Sequence, residues 1–139
     1  MKSTIEVLQS GMKAVKPQDN KAIQELVQRV LSTRDVSHMA HWSTCSNAKH
    51  TALGELYEEL PEVLDKIVEA YQGKFGVVQG FTTNGSVMPE CLCSHLKADL
   101  EWIEKNKSKV AKGRTAVDAL IDELAAQYLA SIYKLENLH

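Results

Sequence analysis

The chain has 139 residues, 44% of them hydrophobic and 24% charged, with three prolines and seven glycines. That is enough for one buried core, and the low Pro, Gly and aromatic content favours helices over a β-sandwich. A net charge of −2 leaves no broad basic face and argues against nucleic acid as the main partner. An odd count of three cysteines argues against a secreted disulfide framework.

We expect one domain over residues 1–139, with 1–19 as a short N-terminal segment or helix. In that segment Ile5, Leu8 and Met12 recur at helical spacing before Pro17. It lacks the apolar core of a signal peptide, and no uncharged run is long enough for a membrane helix, so a cytoplasmic protein is expected.

The first strong helix is predicted after Asp19 or Asn20, both good N-caps, and runs to about Trp42. Ile23, Leu26, Val27, Val30 and Leu31 form its stripe, and at about 100° per residue Arg34, His38 and His41 continue it as polar groups. The second helix is predicted from Ser46 or Asn47 to about Gln72, stopped by Gly73. Its buried face is Leu53, Leu56, Tyr57, Leu60, Leu64, Ile67, Val68 and Tyr71, with His50, Asp65 and Glu69 beside it and a bend at Pro61. Residues 73–89 carry turn signals and no helical period, which makes them a long connection. A third helix is predicted from about Glu90 to Lys107, with Leu92, Leu96 and Ile103 inward and His95 and Asp99 near them. The fourth follows Gly113, from Arg114 to about Glu136, on Val117, Leu120, Ile121, Leu124, Ala125, Tyr128, Ile132 and Leu135.

Short turns between helices one and two and between three and four, with a long link between two and three, describe a ferritin-like all-α four-helix bundle with one crossover. A di-iron site inside one bundle needs two Glu-x-x-His pairs. The one match, Glu136 to His139, lies at the frayed end, so an internal centre is not expected. Asp65 and Glu69, four apart, share a helix face. His50 lies about 22 Å from Asp65 along the same helix, too far to hold one ion with it. Two chains packed antiparallel along this helix bring His41 and His50 of one toward Asp65 and Glu69 of the other. Such a set suits Fe(II) and accepts zinc or manganese.

The residues HW, a following H, then LGELYEELPEVLDKIVEAYQG resemble the first-to-second-helix stretch of the Dps family of miniferritins. There, a His-Trp pair precedes a second His and, fifteen residues later, an Asp-x-x-x-Glu pair; here these are His41, Trp42, His50, Asp65 and Glu69. TAVDALIDELAAQYLASIYKLENL resembles the family's last helix, and the shortened form with ALGELYEEL is also similar to small phage-encoded ferritin-like proteins. The resemblance covers about residues 20–138. It implies an antiparallel dimer within a homo-oligomer of up to twelve subunits, with iron bound at intersubunit sites by His41, His50, Asp65 and Glu69. It further implies oxidation of Fe(II), preferentially by peroxide, as a protection against oxidative stress. Three differences stand beside it: the His41–His50 interval is three residues shorter, the usually acidic position four after the second His is Gly54, and no basic tail is evident.

Two other functions fit the same residues: a non-catalytic helical assembly protein without ferroxidase chemistry, and a structural dimer stabilised by zinc. Cys45, Cys91, Cys93 and His95 form a second group of soft ligands, read first as packing residues. His95 and Asp99 read as a hydrogen-bonded pair, His38 as a substitute or neighbour for His41, and Trp42 and Trp102 as packing residues.

Overall fold

A computed structural model of the chain describes residues 19–83 and 85–139. The N-terminal segment expected to be helical at Ile5, Leu8 and Met12 lies outside them. The described residues form four helices and no strand: α1 Lys21–Ser43, α2 Asn47–Phe75, α3 Leu92–Ala111 and α4 Thr115–Asn137. They pack as a four-helix bundle in which α1 lies against α2 and α3, and α4 against the same two. No described helix is long and apolar enough to cross a membrane.

The stripes explain the core. Ile23, Leu26 and Val30 of α1 meet Leu56, Leu60 and Ile67 of α2, Leu96 and Ile103 of α3, and Val117, Ile121 and Leu124 of α4, all in one buried cluster. Leu31, Val68, Leu92, Leu120 and Ala125 are only partly buried at its edge. Along α1 the buried face continues through Thr33, Val36 and Ser37. Arg34, placed on that stripe from the sequence, turns outward and pairs with Asp35 at 3.0 Å.

Helix ends depart from expectation where a side chain finds a better partner. Asn20 occupies the N-cap position of α1 without a capping bond. Its Oδ1 instead accepts the Tyr71 hydroxyl at 2.7 Å, and Asp19 Oδ1 takes the Lys21 N–H at 3.0 Å. Ser46 caps α2 as expected, accepting the Lys49 N–H. Gly73 does not end α2. The helix continues to Phe75, whose ring packs on Tyr71 at 4.8 Å, and stops at Gly76, where φ is 96°. Pro61 removes one backbone hydrogen bond, yet α2 runs through it. α3 begins two residues later than predicted and runs on to Ala111, because Val110 and Ala111 are buried. Lys112 and Gly113, both at positive φ, then turn the chain into α4.

The foot of the bundle is held by aromatic and cationic contacts. Lys112 Nζ lies 5.0 Å from the Tyr71 ring centroid and 4.9 Å from that of Phe75, and donates to the Tyr71 hydroxyl at 2.6 Å. The described residues of the connection, 76–83 and 85–91, meet α1 at two points: Gln24 near its start donates to the Gln79 carbonyl at 2.8 Å, and Ser86 donates to Asp35, just past its middle, at 3.4 Å.

Candidate functional site

At the opposite end from Lys112, the turn between α1 and α2 faces the two histidines toward each other. Their rings stack with centroids 3.6 Å apart and planes 19° from parallel. His41 Nδ1 donates to the His50 carbonyl at 2.6 Å, and His50 Nδ1 donates to the His41 carbonyl at 2.8 Å. A carbonyl oxygen only accepts, so each Nδ1 carries a proton, and in the neutral ring the lone pair is on Nε2. His50 is exposed and His41 half-buried.

Gly54 makes the stack possible. A Cβ there would sit 3.2 Å from His41 Cε1 and 3.4 Å from Nδ1. A longer side chain would press on the ring. His38 stacks on Tyr57 at 3.9 Å and lies 4.3 Å from Trp42, while the His41 ring meets Tyr57 edge-on at 5.2 Å. Trp42 is no core residue: it is 69% exposed, with its ring tilted 45° against that of His38. Trp102 is half-buried, with the Arg29 guanidinium 4.9 Å from its centroid.

Asp65 and Glu69 are both exposed on α2. Within one chain they stand well down the helix from His50, as the spacing required. Among the described residues, no three His, Cys, Asp or Glu side chains are grouped to hold a metal ion. The histidine pair thus offers at most two nitrogen donors from one chain.

A second polar group sits inside the bundle. Asp99 on α3 is only 4% exposed. Its Oδ2 accepts the hydroxyls of Thr33 from α1 and of Tyr128 from α4, the latter at 2.9 Å, and Arg29 Nη1 reaches Oδ1 at 3.4 Å. His95 Nε2 lies 2.8 Å from the Thr33 hydroxyl and 3.9 Å from Asp99 Oδ2. Burial, then the Asp99 charge, pushes the Tyr128 phenol well above its ordinary range, so it serves this carboxylate as a donor. The Ser37 hydroxyl and Arg29 Nε are buried without a hydrogen bond among the described residues. His95 and Asp99, expected as a hydrogen-bonded pair, stand 3.9 Å apart, and the Thr33 hydroxyl bonds to both in its place; Thr33, Arg29 and Tyr128 were not foreseen. Their signal was a Thr and a Ser on an otherwise aliphatic α1 stripe, opposite an Asp set three residues after Leu96.

Cys45, Cys91 and Cys93 are free thiols. Cys91 and Cys93 line one cleft with Ala40, Thr44 and Lys49; Cys45 does not.

An all-helical bundle with a stacked histidine pair at one end and a buried carboxylate in its middle defines the class of this protein. The chain belongs to a family of unknown function, DUF5856, whose profile matches residues 41–135 and so takes in His50, Asp65, Glu69 and the α3–α4 pair. It is similar to an uncharacterized 14.6 kDa protein of the mobD-ri intergenic region of Enterobacteria phage T4, 26% identical over 98 residues, covering 70% of this chain and 75% of that one. A likeness to small phage proteins was expected from the sequence; neither description mentions a ferritin. No solved structure matches significantly.

Proposed function

We propose that this chain is a ferritin-like bundle that binds a divalent transition metal between two antiparallel copies, with iron as the ion its donors suit. One observation carries the reading: both histidines have Nδ1 tied to a main-chain carbonyl, which fixes the tautomer and leaves Nε2 as the outward donor, the arrangement typical of metal-ligating histidine. Asp65 and Glu69 support it, being exposed carboxylates one turn apart with no hydrogen bond or ion pair among the described residues. The helix order supports the ferritin-like part. The connection's contacts with α1 at Gln24 and Asp35 support a crossover that would set α2 and α3 parallel at opposite corners.

In this reading His41 and His50 of one copy hold the ion, and Asp65 and Glu69 of the other offset its charge. Bound iron supplies one-electron redox chemistry, with peroxide as the oxidant. The carboxylates favour the higher charge state, and the exposed imidazoles admit the ion from solvent.

The test adds Fe(II) and peroxide to metal-free protein and follows ferric absorbance. Two double variants stand beside the wild type, H41A/H50A and D65N/E69Q. Each alone is expected to oxidise iron no faster than buffer. Mixed in equal amounts and allowed to exchange subunits, they regenerate one complete site in each heterodimer and recover up to about a quarter of the wild-type activity, since about half of the dimers are mixed and one of their two sites is intact. A wild type no faster than buffer refutes the ferroxidase reading.

A second reading, a structural dimer stabilised by zinc, is favoured by Gly54. No acidic ligand can stand there without displacing His41, so the site lacks one carboxylate that the Dps resemblance leads one to expect. It predicts tight Zn(II) binding that raises dimer stability, with no oxidation of Fe(II).

A further inference from the structure

Two helices of this bundle start differently. At the start of α2, Ser46 takes the Lys49 N–H in the ordinary way. At the start of α3 the N-cap residue is Cys91, in extended conformation with φ −132° and ψ 113°, and as a neutral thiol it makes no capping bond. The first-turn amides of α3 thus face a sulfur in place of an oxygen, and they accommodate it best as an anion.

Cys91 does not stand alone. It lies at the mouth of a cleft of about 270 Å³ whose lining also includes Cys93, Lys49, Thr44 and Leu135. Cys91 is exposed and Cys93 half-buried. Lys97, one turn on, is ion-paired with Glu136. Two residues apart, the cysteines have Cα atoms separated by no more than about 7 Å, near the span a disulfide accepts.

We infer that Cys91 is a nucleophilic thiol that exchanges with small anionic disulfides of the glutathione class, and that Cys93 is its resolving partner. The Cys91 thiolate attacks one sulfur of R–S–S–R, forming Cys91–S–S–R and releasing R–S⁻. The Cys93 thiol gives its proton to solvent and attacks the Cys91 sulfur, forming Cys91–S–S–Cys93 and releasing the second R–S⁻. Two protein thiols are oxidised and one disulfide is reduced to two thiols.

The order of the two steps follows from the surroundings. The polar hydroxyl and main-chain N–H of the nearby Ser94 lower the Cys91 thiol from its usual range, with the Lys97 charge assisting. Burial raises the Cys93 thiol, and charge on Cys91 raises it further, so the two sulfurs are close enough to interact. Lys49 in the cleft suits a disulfide bearing carboxylates.

The test treats the full-length, metal-free chain with oxidised glutathione and follows adducts by mass spectrometry of the intact protein and its peptides. C93S is expected to accumulate a glutathione adduct on Cys91, formed faster than on the exposed Cys45 of the same chain. In the wild type the adduct is transient and ends as a Cys91–Cys93 link. C91S keeps a cap at α3, so its helical content by circular dichroism should be unchanged, while the link and the fast adduct are lost. Equal rates at Cys91 and Cys45 would overturn the inference, as would a wild-type adduct that persists without closing on Cys93.

Discussion

Replacing Tyr128 with Phe removes one hydroxyl from a fully buried carboxylate and changes nothing else in the shape of the core. The lost bond is a 2.9 Å donation to Asp99. Hydrogen bonds to charged groups contribute about 1.5–3 kcal/mol. Because Asp99 keeps Thr33 and Arg29, the lower end applies, about 1.5 kcal/mol, or ~5 °C in Tm for a chain of this size. Removing the acceptor is worse: D99A orphans three donors and opens a cavity, and should cost about 3–5 kcal/mol. The pH dependence gives the sharper check. The Tyr128 phenol titrates above its ordinary value in the fold, so between about pH 10 and its folded value the native state binds more protons than the unfolded state. The wild type therefore loses up to about 1.4 kcal/mol per pH unit beyond pH 10, a loss that Y128F does not share. Urea titrations from pH 7 to 11 should show the wild-type advantage shrinking above pH 10 and vanishing about one unit later. A difference below about 0.5 kcal/mol at pH 7, or one that stays constant to pH 11, would refute the assigned donor role.

Other consequences can be measured as directly. Gly54→Ala gains up to about 1 kcal/mol of helix propensity but pushes on the His41 ring; fold stability should hold while metal affinity at the pair drops about tenfold, seen by calorimetry. Gly113→Ala, at φ 80°, should cost about 1 kcal/mol in thermal denaturation, with no effect on metal or thiol chemistry. Lys112→Met retains length but loses the cation over Tyr71 and Phe75 and the bond to the Tyr71 hydroxyl, and should lower stability by about 1–2 kcal/mol. A Lys112 variant as stable as the parent would show that the foot of the bundle rests on apolar packing alone.

Helical periodicity alone located the four helices because aliphatic residues dominate their inner faces. It placed the α2 end at Gly73 because a glycine after a long helix reads as a stop. The chain passes through it, since Phe75 gains contact with Tyr71 and Lys112 beyond. It also read Tyr128 as one more apolar residue. Its ring is, but its hydroxyl belongs to Asp99, and a period-3.6 pattern cannot separate the two ends of a tyrosine. The His41–His50 approach was legible from the shortness of their turn. The stacking was not, because it depends on Gly54, whose missing side chain was read first as a missing ligand.

The buried carboxylate has a further consequence for how the molecule assembles. α1 with α2, and α3 with α4, are helix pairs of local contacts that can each close quickly, whereas joining them waits on the long connection between α2 and α3. Aliphatic ridges alone would let one pair dock on the other a turn out of step at modest cost. Asp99 finds Thr33 and Arg29 of the first pair at only one setting, and a slip of about 5.4 Å would strand its charge among leucines. A slip would cost more than an aliphatic mismatch, so the side chain least suited to the core favours one register for the two docked hairpins.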